Sequence, residues 1–318
     1  MRLTYADMHC DTVMCLMEGG SILQNNLHID LEKLQKGGAA AQCFALFVDL
    51  AAFPDPWERT LAMEKMFREM LAESDGAIKQ AKTAAEIRKN MAEDVISAVL
   101  TVEEGGILSG KIERLNTLAE MGVRMITLTW NHKNEIGFPN FTRKDGKTDL
   151  FSPNTKDGLT KFGFEAVEMM ESLGIIPDAS HLSDAGFYDL LKICKKPFVA
   201  THSNARSVCG VVRNMTDDMI KKLADKGGIM GLNFCPGFLS EKDKNGSIES
   251  VVRHAKHIRN VGGIDALAFG SDFDGIPTHA ELPNASHMPK LIEALSQAGF
   301  TDAELEKVCL ENFLRVLG

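Results

Sequence analysis

The sequence predicts an α/β fold, a (β/α)8 TIM barrel with a C-terminal helical extension, that forms one domain over residues 1–318. Eight short apolar segments of strand character alternate with segments whose apolar residues recur at helical spacing. Residues of metal-binding or acid-base type follow several of these strands, at the end where parallel barrels hold their sites. Such a barrel needs about 250 residues, so a chain of 318 residues leaves room for long loops and an extension.

The composition is that of an ordinary globular enzyme. Hydrophobic residues make up 44% and charged residues 25% of the chain, and the formal net charge is -9. Because an acidic surface does not attract nucleic acid or anionic membranes, we expect neither as a partner. Seven scattered cysteines without a Cys-x-x-Cys pair favour a reducing compartment over disulfides or a thiolate zinc site. Since no signal-peptide pattern or membrane-spanning run is present, we expect a cytoplasmic protein.

The first half of the chain is expected to supply four barrel strands. Asp55 followed by Pro56 marks one helix start, and the capping box that begins at Thr83 marks another. A long polar loop is expected over residues 131–154. The predicted strands are 3–9, 41–48, 95–102 and 125–129, and the clearest helices are 31–35 and 112–121.

The second half supplies the other four strands and the extension. Ser247 is expected to cap a helix, and His254 and His257 share one face of that helix, where surface or packing roles are favoured. The predicted strands are 175–181, 197–203, 229–234 and 266–270. The predicted helices are 160–173, 183–194, one that begins at 216, 248–261, 289–298 and 302–317.

Histidines and an aspartate follow three of the predicted strands. His9 and Asp11 end the first strand and share a face, so both can bind one ion; the alternative is a buried histidine followed by an aspartate cap. His181 and His202 end the two strands of a β-α-β unit, which parallel pairing requires. A single histidine after a strand is usually structural, but two at the same position of successive units indicate a shared site.

The remaining candidates lie at other strand ends of the same face. Glu103 and Glu104 follow the third strand and point to opposite sides, so at most one faces the mouth of the barrel; a helix-capping role is the alternative. Asp272 is the first carboxylate after the eighth strand. Arg213 lies in a loop after the sixth strand, and its guanidinium suits a carboxylate ligand. His132 follows the fourth strand and lies either in a pocket or at the surface.

With these motifs the sequence resembles the membrane dipeptidase (renal dipeptidase) family, metal-dependent barrels of the amidohydrolase superfamily. The likeness extends over nearly the whole chain. Its most specific parts are His9-Cys10-Asp11, Val102-Glu103 and the segments 178–181, 201–203, 213–218 and 270–275. The resemblance implies two zinc ions per chain, with His9 and Asp11 on one ion, His181 and His202 on the other, and Glu103 between them.

The resemblance also implies a mechanism. A water that bridges the two ions would be converted to hydroxide, and Asp272 would accept its proton and return it to the leaving amine. Arg213 would hold the C-terminal carboxylate of a dipeptide, and His132 or a metal would stabilise the oxyanion.

Two departures from the family pattern leave alternatives open. The family has one glutamate before Gly-Gly, so either Glu103 or Glu104 bridges. Animal members carry a histidine where Trp130 and Asn131 stand here, so the role of His132 requires a small insertion.

Three functions follow from these observations. The first is a zinc-dependent dipeptidase that acts on free dipeptides; the sequence leaves open whether a D-residue is accepted at the C-terminal position. The second is another metal hydrolase on the same barrel, a deacylase, lactonase or deaminase. The third is a binding protein without catalytic activity, which a nearly complete set of polar groups disfavours. The resemblance implies a homo-oligomer, a dimer or a larger assembly.

Overall fold

The computed structural model describes residues 3–144 and 147–318. Eight of its strands form a closed barrel in the order β1, β2, β4, β5, β8, β9, β10 and β11, and β11 pairs with β1 to complete it. Every neighbouring pair in this barrel is parallel. The described strands are β1 (Tyr5–Asp7), β2 (Ala39–Phe47), β3 (Ile78–Gln80), β4 (Ile96–Glu103), β5 (Met125–Thr127), β6 (Thr142–Lys144), β7 (Lys147–Asp149), β8 (Ile176–Asp178), β9 (Val199–Ala200), β10 (Ile229–Leu232) and β11 (Leu267–Phe269).

The predicted fold class is confirmed, and so is each of the eight barrel strands. Most strands are shorter than predicted, because their polar ends leave the ladder and turn into the site; β9 keeps only Val199–Ala200 of the predicted 197–203. The prediction of a long loop over residues 131–154 is wrong in one part, where β6 and β7 pair with each other in antiparallel orientation. A further strand, β3, pairs with the beginning of β4, and no pattern in the sequence distinguished it.

Helices connect the barrel strands, and polar side chains cap their starts. The side chains of Thr160, Ser183 and Ser247 each accept a hydrogen bond from the first turn of the following helix, and both halves of the predicted capping box at Thr83 form. The helices are α1 (Thr12–Leu16), α2 (Leu31–Gly37), α3 (Pro56–Glu73), α4 (Ala84–Ala92), α5 (Arg114–Met121), α6 (Lys161–Leu173), α7 (Asp184–Ile193), α8 (Asp217–Asp225), α9 (Pro236–Leu239), α10 (Ile248–Gly262), α11 (Met288–Gln297), α12 (Asp302–Glu306) and α13 (Asn312–Leu317).

The helix predicted over 302–317 is interrupted by a π-helical segment, Lys307–Glu311. Directly after it, Asn312 donates from Nδ2 to the carbonyl oxygens of Ile264 and Leu267, both over 2.8 Å. These bonds fix α13 below β11. Its side chains Phe313, Leu314 and Leu317 join the apolar residues inside the barrel in one buried cluster, so the C-terminal extension closes the end of the barrel opposite the site.

A larger apolar layer lies between the barrel and its helices. It holds most of the buried aromatic rings, such as Phe44, Phe187 and Phe269. Along β2, Cys43 belongs to the interior cluster whereas Phe44 and Leu46 belong to the outer layer, as alternation along a strand requires. None of the described helices combines the length and the apolar character that crossing a lipid bilayer requires.

Close packing of backbones inside the barrel requires a glycine at position 270. A Cβ atom on Gly270 would lie 1.8 Å from the carbonyl oxygen of Thr201. We expect Gly270→Ala to lower the free energy of unfolding by about 3 kcal/mol, which is the upper end of what overpacking usually costs. Denaturant titrations measure this change. Gly237→Ala is the control, since no atom lies within 4 Å of the added carbon; equal stability of both variants would contradict the packing argument.

Candidate active site

Six acidic and histidine side chains converge at the carboxyl ends of the barrel strands. Each of them is buried, with at most 8% of its surface exposed. They come from the ends of five strands, β1, β4, β8, β9 and β11, which parallel pairing brings to one face of the barrel. The six residues are His9, Asp11, Glu103, His181, His202 and Asp272.

His9 lies at the centre of this cluster. Its Nε2 is 3.2 Å from Glu103 Oε2, 3.4 Å from Asp11 Oδ2 and 3.8 Å from Asp272 Oδ1. Its ring stacks on that of His202, with 4.0 Å between the centroids. Two groups of three could each hold a metal ion, with all their ligand atoms within 4.8 Å of one another: His9 with Glu103 and His202, and His9 with Asp11 and Asp272.

The consecutive glutamates point in opposite directions. Glu103 Oε1 lies 3.0 Å from Nε2 of His181 and 3.5 Å from Nε2 of His202, while its other oxygen faces His9. Glu104 turns away from the cluster and accepts a hydrogen bond from the backbone N–H of Trp130. Of the two alternatives that the sequence leaves open, Glu103 is therefore the one whose carboxylate contacts the histidines.

Two imidazoles of the cluster present their Nε2 atoms to each other. Asn131 Oδ1 accepts a hydrogen bond from His181 Nδ1 over 2.9 Å. Thr201 Oγ1 donates its one proton to Asp178 Oδ2 over 2.6 Å, so it accepts from His202 Nδ1, 2.8 Å away. Both rings then carry their proton on Nδ1, and their Nε2 lone pairs face each other across 3.0 Å. Because two lone pairs at this distance repel, the arrangement favours a cation beside them.

The directions of the pKa shifts in the cluster also favour a bound cation. Burial and neighbouring carboxylates raise the pKa of Asp11 to about 6 and that of Asp272 to about 7, although His9 opposes both shifts. Burial lowers the pKa of His181 to about 4 and that of His202 well below its ordinary value. Burial alone would lower the pKa of His9 too, but Glu103 and Asp11 raise it well above its ordinary value.

These residues fit a bound metal. His9 Nε2 and Asp11 Oδ1 are buried and have no hydrogen-bond partner among the residues that the structure describes. Buried polar atoms without partners are costly, whereas a cation would use both as ligands. Neutral imidazole nitrogens together with carboxylate oxygens are a donor set that zinc binds.

Two of these residues have strained backbone. The φ angles of His181 and Asp272 are 67° and 65°, in the left-handed region that residues with a side chain rarely adopt. Backbone hydrogen bonds hold both, one from Asn140 to the carbonyl oxygen of His181 and one from Asp272 to that of His9. Such conformations are concentrated at functional sites, where the surrounding structure enforces them.

A cavity of about 230 Å³ opens beside the cluster. Asp11, Glu103, Asn131, His181 and Asp272 form its polar part. Its mixture of apolar walls with a few converging polar groups is typical of a site for a small molecule. The apolar side chains in its walls are Met14, Phe47, Trp130, Phe141, Phe238, Ile276 and Pro277.

Arg213 is buried next to this cavity but is not part of its wall. Its Nη2 donates to the carbonyl oxygen of His202 over 3.2 Å, and the guanidinium lies over the ring of Phe238, 5.4 Å from the centroid. Its Nε has no hydrogen-bond partner among the described residues. Phe238 lines the cavity, so a buried cation with an unused donor lies directly behind the wall.

The structure does not bring the predicted site residue His132 to the cluster or to the cavity wall. Its Nε2 lies 3.0 Å from Asp49 Oδ1, and its ring contacts that of Trp130 with 5.7 Å between the centroids. The cavity wall at this position is formed by Trp130 and Asn131 instead. The reason is local: the chain turns after β5 so that Asn131 faces His181.

Two asparagines contact the cluster that the sequence analysis did not assign to the site. Asn233 directly follows β10 and donates from Nδ2 to Asp272 Oδ2 over 2.8 Å. Asn131 accepts from His181, as described above. Their position after a barrel strand was the available signal, but asparagine is common in loops of every kind and the pattern alone did not separate these two.

Comparison with known proteins agrees with this arrangement. Residues 1–318 match the model of the membrane dipeptidase family, peptidase family M19. An uncharacterized protein in the pqqA 5' region of Klebsiella pneumoniae is 32% identical over 268 residues, which are 83% of this chain and 96% of that protein.

Two solved structures share the complete fold. Dipeptidase AC, a metallo peptidase of family M19, is 29% identical with a TM-score of 0.91, and the match covers 100% of this chain and 98% of that one. A metallo peptidase from Rhodobacter sphaeroides, liganded with a phosphinate mimic of the dipeptide L-Ala-D-Ala, is 28% identical with a TM-score of 0.91 over 100% of this chain and 99% of that one. The chain therefore belongs to the membrane dipeptidase family, the metallopeptidases of family M19.

Proposed function

We propose that this protein is a zinc-dependent dipeptidase that hydrolyses free dipeptides, including those with a C-terminal D-residue. The observation that carries the proposal is the buried cluster of three histidines and three carboxylates at one side of a small cavity. Membership of family M19 supports peptide hydrolysis. The phosphinate mimic of L-Ala-D-Ala in the Rhodobacter sphaeroides relative supports a substrate with a D-residue.

Five side chains would hold two zinc ions: His9 and Asp11 one ion, His181 and His202 the other, and Glu103 both. The two oxygens of Glu103 face different histidines, which suits a bridging carboxylate. When bound, the ions supply Lewis-acid chemistry, which activates a water and polarises the scissile carbonyl.

Asp272 is the proposed general base and acid. It borders the cavity, and Asn233 holds one of its oxygens by a hydrogen bond from Nδ2, which leaves Oδ1 turned towards His9. From there Asp272 would accept a proton from the attacking water and return it to the nitrogen of the leaving amine. Burial raises the pKa of this carboxyl to about 7 without bound metal, and cations beside it would favour the ionised form, which accepts a proton.

Arg213 is the proposed partner of the substrate carboxylate. Only its hydrogen bond to the carbonyl oxygen of His202 is seen among the described residues, so most of its five N–H donors remain for a ligand. The ring of Phe238 lines the cavity and lies against the guanidinium, so it would have to move aside for direct contact between Arg213 and a ligand. We leave His132 out of the mechanism, because it bonds to Asp49 and does not line the cavity.

The first test is amino-acid release by the purified, zinc-loaded protein from dipeptides with an L- or D-residue at the C-terminus. We expect release from free dipeptides of both kinds. We expect none from N-acylated dipeptides, because the cavity of about 230 Å³ is small, and none from C-amidated dipeptides, because they lack the carboxylate that would bind Arg213. No release from any free dipeptide would exclude the dipeptidase and direct the search to deacylase, lactonase or deaminase substrates. Release from the blocked controls would contradict recognition of the termini.

A further inference from the structure

We propose that Glu104 is a positioning residue, which holds the loop from Trp130 to Asn134 so that Asn131 fixes the orientation of His181. The inference rests on the proposed zinc site and deepens it. It assigns a role to a buried carboxylate that no step of the proposed mechanism uses, and to the loop that forms one wall of the cavity.

Glu104 has a backbone conformation that favours glycine. Its φ and ψ are 94° and 87°, and its side chain is completely buried. A residue with a side chain keeps such a conformation only where the surrounding structure enforces it. Here three donors converge on the carboxylate: the backbone N–H of Gly106 over 2.7 Å, the backbone N–H of Trp130 over 2.9 Å, and Nδ2 of Asn134.

These hydrogen bonds attach both ends of one short loop. Trp130 is its first residue and Asn134 its last, and each donates to a different oxygen of Glu104. Asn134 also donates to the carbonyl oxygen of Leu128 over 2.8 Å and accepts from the backbone N–H of Ile136 over 2.8 Å. The span between the two ends is only three residues long, so its backbone has little freedom to shift.

Asn131 lies in this span and contacts the proposed zinc ligand His181. Its Oδ1 accepts the Nδ1 proton of His181 over 2.9 Å, which leaves Nε2 with a lone pair 3.0 Å from Glu103 Oε1. A histidine binds a metal through a nitrogen that carries no proton, and the hydrogen bond at the other nitrogen selects the tautomer and the ring orientation. Glu104 therefore acts on His181 through the loop, while Glu103 contacts the same ring directly.

The competing explanation is that Glu104 only stabilises the fold. In that case its loss would change the melting temperature but not the affinity for zinc or kcat. Glu104→Gly separates the two explanations, because glycine accepts the φ of 94° without strain while the carboxylate is lost. Asn131→Leu removes the acceptor for His181 with a side chain of similar size and leaves Glu104 in place, so it is informative even where the first variant folds poorly.

The measurements are zinc affinity by competition with a chelator, and kcat and KM for a dipeptide, on Glu104→Gly, Asn131→Leu and the double variant. We expect each single variant to lose about 10- to 100-fold in zinc affinity or kcat, as is usual for partners of metal ligands, with a smaller change in KM. The loss of zinc affinity or kcat in the double variant should not exceed the larger of the two single losses, because both changes break the same chain of contacts. Glu104→Gln keeps one oxygen as an acceptor for the loop, so its loss of zinc affinity or kcat should be smaller than that of Glu104→Gly.

Ser109→Gly is the matched control. Ser109 also has a left-handed backbone, with φ at 49°, but it is exposed and its hydroxyl donates to the carbonyl oxygen of Ile107. It should leave zinc affinity and kcat unchanged. Unchanged zinc affinity and kcat in Glu104→Gly, or fully additive losses in the double variant, would overturn the inference. Zinc affinity needs no substrate, so the comparison decides this point even if the protein hydrolyses no dipeptide.

Discussion

Replacing Asp272 by asparagine is expected to reduce kcat by about 10²- to 10⁴-fold, the usual contribution of a positioned acid-base group. Asparagine keeps the size of the side chain and its contact with Asn233, but it cannot accept the proton of the attacking water. The measurement is the steady-state rate of dipeptide hydrolysis by the zinc-loaded variant, together with its metal content. We expect two equivalents of zinc to remain, because five other side chains are the proposed ligands.

Asp274→Asn is the control for this variant. Asp274 also follows β11 and is largely buried, but its carboxylate accepts from Thr12 Oγ1 and the backbone N–H of His28 and faces away from the cavity. We expect it to change stability and to leave kcat per folded molecule nearly unchanged. If Asp272→Asn loses zinc together with turnover, Asp272 is a metal ligand. Its position beside His9 and Asp11 is compatible with that outcome.

Replacing Glu103 by glutamine is expected to abolish activity through loss of metal. Glutamine would place an N–H₂ group beside imidazole nitrogens and remove the charge that neutralises the ions. Since removing a partner of a ligand already costs 10- to 100-fold in affinity, we expect loss of the bridging ligand to weaken zinc binding by more than about 100-fold. Zinc affinity by chelator competition measures this.

The comparison with Glu104→Gln decides which glutamate is the bridge. Glu104 faces Trp130 and Asn134 rather than the histidines. We therefore expect Glu104→Gln to bind zinc at least about tenfold more tightly than Glu103→Gln, since residues outside the ligand set affect metal affinity by about 10- to 100-fold. An equal or larger loss of zinc affinity in Glu104→Gln would move the bridge by one position along β4 and would contradict the proposed ligand set.

The barrel itself was predictable from local patterns. Apolar runs such as 41–48 and 95–102 have strand length and strand composition. The caps at Thr83 and Ser247 mark helix starts through hydrogen bonds that form within a few residues. The prediction failed where local signals are weak. The segments Thr142–Lys144 and Lys147–Asp149 contain polar residues suited to a loop, yet they pair as antiparallel strands.

The candidate metal ligands were also predictable, because they share one position relative to the strands. The candidate ligands His9, His181 and His202 each follow a barrel strand at its carboxyl end, as does the proposed base Asp272, and parallel pairing brings those ends together whatever their separation in sequence. Sequence distance is therefore no obstacle to placing them on one face. The resemblance to the membrane dipeptidases added the roles that spacing alone does not supply.

What the sequence by itself determined is the alternation of strands and helices and the set of side chains at one end of the barrel. Only the tertiary structure decided where those side chains point. It turned Glu103 towards the histidines and Glu104 towards the Trp130 loop, placed Asn131 rather than His132 at the cavity, and buried Arg213 behind Phe238. The physical reason is that a side chain's direction depends on backbone angles and on hydrogen-bond partners distant in sequence, which local patterns do not encode.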